Sequence, residues 1–122
     1  MESFTGRIAV VTGGASGMGR EIVRQLAADG CHVAMCDLSV EEMEETRRLA
    51  LADAPDGTII TTHVCDVANE ASMIAFRDAV VEQHRTDHVD LLFNNAGIGG
   101  GGSVITDPRE TWERTFLSLI HI

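Results

Sequence analysis

Short apolar runs alternate with longer amphipathic segments along this chain. Runs rich in β-branched residues, bounded by turn residues, predict buried strands over Arg7–Thr12, His32–Asp37, Thr58–Val64 and Val89–Phe93. Apolar positions at helical spacing predict helices over Gly17–Asp29, Ser39–Ala54, Asn69–Arg85 and from Pro108 onward. Strands that alternate with helices through short connections indicate an α/β domain with a parallel sheet.

Local signals define the helix ends and their buried faces. Ser39 and Glu42 have the spacing of a capping box, and Gly30 stands where a helix-ending glycine belongs. The first helix is expected to bury the face formed by Ile22, Val23, Leu26 and Ala27. The third helix is expected to bury the face formed by Met73, Ile74, Phe76 and Val80.

Right-handed crossovers make this pattern a doubly wound Rossmann-type unit, an α/β/α three-layer arrangement with strand order 3-2-1-4. In such sheets ligands bind beyond the carboxyl ends of the strands, where the strand order reverses. The glycine-rich segment Thr12–Gly19 and the segment Asn94–Gly97 both follow strands that meet there. These two segments are therefore the predicted walls of a binding site.

The segment Thr12–Gly19 joins the first strand to the first helix. Gly13 permits a tight turn, while Gly17 and Gly19 permit close approach of backbone to phosphate and of helix to sheet. Oriented backbone amides can bind an anion even in an acidic chain. A plain strand–helix connection is the alternative; the position after a strand and before a helix favours phosphate binding.

An acidic residue ends the second strand, 18 residues after Gly19. Asp37 is placed where a carboxylate accepts hydrogen bonds from the adenosine ribose hydroxyls. The alternative is a strand-end Asp that caps the following helix, and the preceding loop favours the ribose role. An acid here predicts NAD as cofactor, with NADP disfavoured because its additional phosphate would meet the carboxylate.

Four ordered motifs now resemble one family. They are Thr12-Gly13-x-x-x-Gly17-x-Gly19, Asp37, Cys65-Asp66-Val67 and Asn94-Asn95-Ala96-Gly97. Together they closely resemble the short-chain dehydrogenase/reductase family, over about Gly6 to Phe116. The resemblance implies an oxidoreductase that interconverts an alcohol and a carbonyl with a nicotinamide cofactor.

The resemblance also implies roles for individual residues. Asp66 would bind the adenine amino group with Val67 against the ring, and Ile98 would approach the nicotinamide ribose. Alone, Asp66 would be interpreted as a loop Asp that bonds its own backbone. Asn94 is expected to stabilise the central sheet. The implied cofactor-binding set is Gly13, Ser16, Gly17, Met18, Gly19, Asp37, Leu38, Asp66, Val67, Asn95, Ala96, Gly97 and Ile98.

The catalytic residues of that family are missing from this sequence. Its chemistry uses a serine, a Tyr-x-x-x-Lys pair and usually an asparagine, and this chain has no tyrosine and no lysine. The serine would fall beyond residue 122, and Leu119 stands where the asparagine is expected. We therefore predict no catalytic residue here and an inactive chain.

Charge and cysteine content narrow the partners. A formal net charge of −10 disfavours nucleic-acid and membrane-surface partners. Three cysteines without paired spacing indicate small buried side chains in a reduced, cytoplasmic protein. His84 and His88 are four apart, yet the segment between them favours a solvated polar turn, so no metal site is predicted.

The last six residues, LSLIHI, depart from the family pattern. They are the in-frame translation of CTGTCTCTTATACACATC, which resembles a transposon-end adapter of sequencing libraries. We predict an incomplete Rossmann domain over residues 1–116 and a non-native tail over 117–122. A natural short variant with an apolar C-terminal helix is the alternative.

The leading interpretation is thus the cofactor-binding half of an NAD-dependent oxidoreductase. Its longer parent is expected to act on a small-molecule alcohol or carbonyl and to form a homo-oligomer. A stand-alone, non-catalytic dinucleotide-binding or regulatory module is the second interpretation. A methyltransferase is the third, and it gives the segment Asn94–Gly97 no role.

Overall fold

The computed structural model describes residues 4–95. Apolar, β-branched runs form its strands, and the amphipathic segments between them form its helices. In chain order the elements are β1 (Ile8–Thr12), α1 (Gly17–Ala28), β2 (His32–Asp37), α2 (Val40–Ala52), β3 (Ile60–Val64), α3 (Glu70–His84) and β4 (Leu91–Asn94). All seven elements predicted in this range are present, and β3 and β4 each begin two residues later than predicted.

The four strands form one parallel sheet in the order β3-β2-β1-β4, which confirms the predicted fold. In its register Thr12 pairs with Cys36 on one side and with Asn94 on the other. Asp37 pairs with Val64 on the next strand. The carboxyl ends of all four strands therefore reach the same edge, where β1 separates the β2 side from the β4 side.

Two separate cores cover the two faces of the sheet. One core is aliphatic and joins the sheet to α1 and α2 through residues such as Val11, Val23 and Met43. The other joins the sheet to α3 and contains Cys36, Cys65, Met73, Phe76 and Val80. The two cores confirm the three-layer arrangement, and all three cysteines are buried as predicted.

Three local predictions were wrong. Ile74 is 38% exposed, so the buried face of α3 comprises the other three predicted residues. His84 is not in a solvated turn: it ends α3, is buried, and its Nε2 lies 2.7 Å from Thr61 Oγ1. Glu42 does not complete the capping box, because its carboxylate pairs with Arg20 at 3.0 Å while only Ser39 caps the helix.

The amino ends of the strands are closed by the chain's own polar groups. Asp90 Oδ2 accepts the Ile8 amide at 2.9 Å, and Asp29 Oδ2 accepts the Phe4 amide at 2.6 Å. Gly30, at φ +85°, ends the turn after α1 as predicted, and its carbonyl accepts the Gly6 amide. Among the helices of residues 4–95, none combines the length and apolar character that crossing a membrane requires.

Candidate functional site

A cleft of about 450 Å³ opens at the carboxyl edge of the sheet. Its walls come from the loop after β1, the ends of β2 and β3, and the residue that follows β4. Eight of its ten lining residues belong to the predicted cofactor-binding set. The lining residues are Gly13, Ser16, Met18, Cys36, Asp37, Leu38, Cys65, Asp66, Val67 and Asn95.

The loop after β1 turns sharply against the end of β2. Gly13 has φ +72°, a backbone conformation that glycine adopts at little cost. The amides of Gly13 and Gly14 donate to the same Cys36 carbonyl, at 2.8 and 3.3 Å. Gly14 was not predicted to matter, yet a Cβ there would lie 2.8 Å from Met35 Cβ. The loop is therefore seated on β2 through backbone contacts that larger side chains would prevent.

Gly19 fixes the distance between this loop and α1. A Cβ at Gly19 would lie 1.8 Å from the Gly13 carbonyl oxygen, which no side chain can occupy. Asn95 Nδ2 donates to that same oxygen at 3.3 Å. Asn95 thus supports the loop from the β4 side while it lines the cleft.

The start of α1 differs from the starts of the other two helices. Ser39 and Asn69 each cap their helix by accepting the amide three residues on, at 3.2 and 2.9 Å. Within the described chain, the Ser16 side chain makes no capping hydrogen bond to α1. Gly17 has φ +57°, and among residues 4–95 no atom outside its chain neighbours and its own helix lies within 4 Å of where its Cβ would stand. This helix start therefore presents its amides to open space beside the cleft, as an anion site requires.

Asp37 is held in place by both of its carboxylate oxygens. Oδ2 accepts the Ala15 amide at 3.0 Å and Oδ1 accepts the Leu38 amide at 2.7 Å. A carboxylate offers about four lone-pair sites, so two remain for a ligand. The loop thus orients the acid, and the acid in turn fixes the loop.

Asp66, the acid after β3, makes the local backbone bond that was the alternative to an adenine contact, and it also lines the cleft. Asp66 Oδ1 accepts the Ala68 amide at 2.9 Å, the local backbone bond of a loop Asp. Ser72 Oγ accepts the Asp66 amide at 3.1 Å and ties the loop to α3. Within residues 4–95, Asp66 Oδ2 has no hydrogen bond, and Asp66 and Val67 both line the cleft.

Apolar side chains line the mouth of the cleft. Met18 is 64% exposed and Leu38 is 68% exposed. Both were predicted to contact cofactor, and both lie in the cleft wall. They add apolar surface to a cleft that also holds Asp37, a combination suited to a ligand with both apolar and polar groups.

Asn94 lies inside the sheet rather than in the cleft wall. Thr12 Oγ1 donates to Asn94 Oδ1 at 3.0 Å across the β1–β4 pairing, in line with the expected sheet role. The predicted site residues Ala96, Gly97 and Ile98 lie outside the described residues. The predicted fourth helix and the tail over 117–122 lie outside them as well.

Arg20 is next to the cleft but is engaged elsewhere. Its guanidinium donates to the Ala15 carbonyl at 2.6 Å, to Thr46 Oγ1 at 2.8 Å and to the Glu42 carboxylate at 3.0 Å. Thr46 also donates to the Ala15 carbonyl, at 3.2 Å. Arg20 therefore ties the loop to α2, and no cationic side chain lines the cleft in the part of the chain that the structure describes.

Two thiols in the cleft wall were predicted only as buried side chains. The neighbouring Cys65 thiol, together with burial, raises the pKa of the Cys36 thiol above its ordinary range. Hydrogen bonds from Cys36 and Ser72 lower the pKa of Cys65, so Cys65 ionises first. Cys36 and Cys65 are neighbours only because β2 pairs with β3, and the local sequence around each cysteine does not show this pairing.

Comparison with known proteins identifies the family. The family model described as short chain dehydrogenase matches residues 7–119. Levodione reductase of Leifsonia aquatica is 42% identical over 97 residues, which cover 80% of this chain and 35% of that protein. A crystal structure of levodione reductase superposes with a TM-score of 0.82 at 32% identity, covering 95% of this chain and 50% of that one.

Solved structures with bound cofactor are also similar. A short chain dehydrogenase/reductase from Burkholderia phymatum in complex with NAD has a TM-score of 0.80 at 28% identity, covering 98% of this chain and 46% of that one. A metagenomic short-chain oxidoreductase in complex with NADP has a TM-score of 0.75 at 30% identity, covering 95% and 57%.

The chain spans about a third to a half of the lengths of these relatives. Its match to the family model nevertheless covers almost all of its own residues, including each strand and the whole cleft. The strand order agrees with this match. The chain belongs to the short-chain dehydrogenase/reductase family.

Proposed function

We propose that this chain is the cofactor-binding, N-terminal part of an NAD-dependent oxidoreductase that interconverts an alcohol and a carbonyl. One observation carries the proposal: a helix start without a side-chain cap and an anchored carboxylate line the same cleft. The first suits a pyrophosphate and the second suits a ribose diol. A dinucleotide contains both groups, and its pyrophosphate is attached to its adenosine ribose.

The residues of the cleft fit such a cofactor. The open space over Gly17 suits a pyrophosphate, and Ser16, Gly17 and Met18 offer amides to it. Asp66 Oδ2 is available to accept an adenine amino group, with Val67 beside it. Gly13, Gly19 and Asn95 would hold the loop in shape. When bound, a nicotinamide cofactor supplies hydride transfer to or from a substrate carbon.

Two features favour NAD over NADP. The additional phosphate of NADP would approach the carboxylate of Asp37, and two charges about 4 Å apart repel by about 4 kcal/mol at an effective dielectric near 20. A basic side chain would offset this repulsion, but none lines the cleft in the described residues, and Arg20 is paired with Glu42. The similar structures include complexes with each cofactor, so the preference rests on these residues alone.

Calorimetric titration of the chain with NAD and NADP tests this proposal. We expect NAD to bind at least tenfold more tightly, the factor that corresponds to about 1.4 kcal/mol. Asp37→Ala should narrow the gap, since it removes the repulsion and the ribose acceptor together. Asp56→Ala removes the same charge from a turn between α2 and β3 and should leave the gap unchanged. Equal or tighter binding of NADP by the unaltered chain would overturn the assignment of Asp37.

The reaction itself belongs to a longer protein. This chain has no tyrosine or lysine, so we propose that it transfers no hydride alone. A downstream sequence with a serine followed by Tyr-x-x-x-Lys would complete the enzyme, and kcat/KM with both cofactors would then test the preference in turnover. Measurable alcohol oxidation by residues 1–122 alone would contradict this division.

A non-catalytic dinucleotide-binding module remains the second candidate, and the missing catalytic pair favours it. The two candidates share the cleft and differ in the DNA that follows the codon for Ile122. A stop codon there in the source genome would favour the module and would make the tail native. The cytoplasmic location and the homo-oligomeric parent stay predictions.

A further inference from the structure

Three sulfur-bearing side chains belong to one core behind the cleft, on the α3 face of the sheet. Cys36 is near the end of β2, Cys65 follows β3, and Met73 is on α3. Each is at most 2% exposed, and all three belong to the same core. Cys65 Sγ lies 3.4 Å from Met73 Sδ, and both cysteines also line the cleft. The cluster is therefore buried yet bordered by the cavity.

The strand register argues against a direct disulfide between the two cysteines. Cys36 pairs with His63, so Cys65, just past the end of β3, lies two residues further along the chain. Neighbouring strands lie about 4.8 Å apart and rise about 3.3 Å per residue, which separates the two Cα atoms by about 8 Å, whereas a disulfide requires Cα atoms within about 6.8 Å. Their thiols can approach one another without reaching bonding distance.

A bridging ion does not require the two thiols to reach bonding distance. Metal–sulfur bonds of about 2.3 Å place the sulfurs of a three- or four-coordinate site roughly 3.8–4.0 Å apart. The 3.4 Å contact between Cys65 and Met73 needs to widen by only a few tenths of an ångström, and methionine adapts readily. Thiolate and thioether donors together select Cu(I) over harder cations.

We propose that Cys36, Cys65 and Met73 form a site for a soft monovalent cation of the Cu(I) class. Binding forms Cu–S bonds at Cys36 and Cys65 as both S–H bonds break, Met73 donates a lone pair of its thioether, and both protons leave through the cleft to solvent. The oxidation state of the metal does not change. The cation offsets one of the two thiolate charges, and both cysteines border the cleft, where the remaining charge is not fully enclosed. Residues 4–95 hold no cluster of three or more His, Cys, Asp and Glu suited to a metal, so the thioether is the necessary third donor.

Titration of the full chain with Ag(I), an air-stable soft monovalent cation, tests the site. Native mass spectrometry should show one ion per chain, and anaerobic competition with a Cu(I) chelator should give a single tight class. Cys65→Ser should abolish this class. Met73→Leu conserves volume and should weaken it at least about tenfold, no less than the loss of an outer-sphere ligand partner typically does.

Cys31 provides the matched control. It is a buried thiol in the opposite core, and its Sγ donates to the Arg7 and His32 carbonyls at 3.3 and 3.4 Å. Cys31→Ser should leave the tight class intact. Equal retention by Cys65→Ser, or unchanged affinity in a folded Met73→Leu chain, would overturn the proposal. None of these measurements uses NAD, so failure of the proposed cofactor role would leave this test unaffected.

Discussion

The two ends of the sheet treat polar groups in opposite ways. At the amino end, the carboxylates of Asp90 and Asp29 accept the backbone amides of Ile8 and Phe4. These polar groups therefore bond within the chain. At the carboxyl end, α1 starts without a side-chain cap, and Asp37 and Asp66 line a cavity.

This difference separates what the fold needs from what a ligand needs. A chain selected for stability alone would cap α1, as it caps α2 and α3. The carboxyl end thus forgoes stabilising contacts that a bound dinucleotide would supply. Substitutions at the two ends should consequently differ in whether they reduce NAD binding.

Gly19→Ala should have the largest effect. Its Cβ would overlap the Gly13 carbonyl oxygen, so α1 and the loop must move apart, and we expect a cost of about 3 kcal/mol or more together with loss of NAD binding. Urea denaturation and calorimetry would measure both. Gly57→Ala, at φ +89° in open space, is the control and should cost about 1–2 kcal/mol through backbone strain alone. Comparable stabilities of the two variants would contradict the close packing at Gly19.

Gly17→Val should abolish NAD binding while the chain remains folded, because its side chain would occupy the space assigned to the pyrophosphate. Gly57→Val is closely matched, since both glycines have positive φ and no atom within 4 Å of the added Cβ. The two variants should lose similar stability, and only Gly17→Val should lose affinity in calorimetry. Unchanged NAD affinity would mean that the loop is only a connection.

Asp90→Ala should give the reverse result. It leaves the Ile8 amide without its acceptor and should cost about 1–3 kcal/mol, with NAD affinity of the folded chain unchanged. Thermal melting with and without NAD measures both quantities. An affinity loss as large as that of Gly17→Val would show that the two ends are not independent.

Acid should weaken the packing of α3 on the sheet. Thr61 Oγ1 lies 2.9 Å from His63 Nε2 and 2.7 Å from His84 Nε2. Burial, with the positive charge of a neighbouring histidine, lowers the pKa of each imidazole from 6.5 to about 4. The two imidazoles therefore bind protons more readily in the unfolded chain than in the folded one. Their contribution to stability is fully present above pH 6.5 and is lost as the pH decreases through about 4.

The double variant His63→Gln, His84→Gln should flatten this part of the pH–stability curve, because glutamine can still bond Thr61 but does not titrate. Denaturation midpoints between pH 7 and pH 4 would show the change. His88→Gln, in the turn after α3, is the control and should keep the steep dependence. An equally steep curve in the double variant would assign the acid sensitivity to other groups.

The smallest effect should separate the helix starts. Ser39→Ala removes a cap and should cost about 1 kcal/mol, whereas Ser16→Ala removes none and should leave stability nearly unchanged. Denaturant midpoints of the two variants in the absence of ligand make the comparison. Equal losses would mean that Ser16 contributes a cap after all.

The sequence was sufficient for features that depend on neighbouring residues. Period, β-branched runs and turn residues predict all seven described elements, and parallel alternation then leaves strand order 3-2-1-4 as the natural topology. Glycine positions around Gly17 and the acid at the end of β2 likewise indicate the cleft. These signals are local, so they can be interpreted before the chain is folded.

What the sequence missed depends on contacts between distant residues. The local sequence predicts His84 in a solvated turn, because its hydrogen-bond partner Thr61 is 23 residues away along the chain. Glu42 had the spacing of a capping box, but Arg20 on another helix competes for its carboxylate. The sulfur cluster combines residues from β2, the end of β3 and α3, and no local motif indicates it.

The hydrogen bonds of Arg20 limit how the glycine-rich segment can be transferred between proteins. Its guanidinium and the Thr46 hydroxyl converge on the Ala15 carbonyl, 31 residues from Thr46 along the chain. The glycine-rich segment is therefore not an autonomous module. Grafted into another protein without α2, it would lose the support behind Ala15, whose amide in turn orients Asp37. Recombination that preserves this cleft must exchange β1 through α2 as a single block.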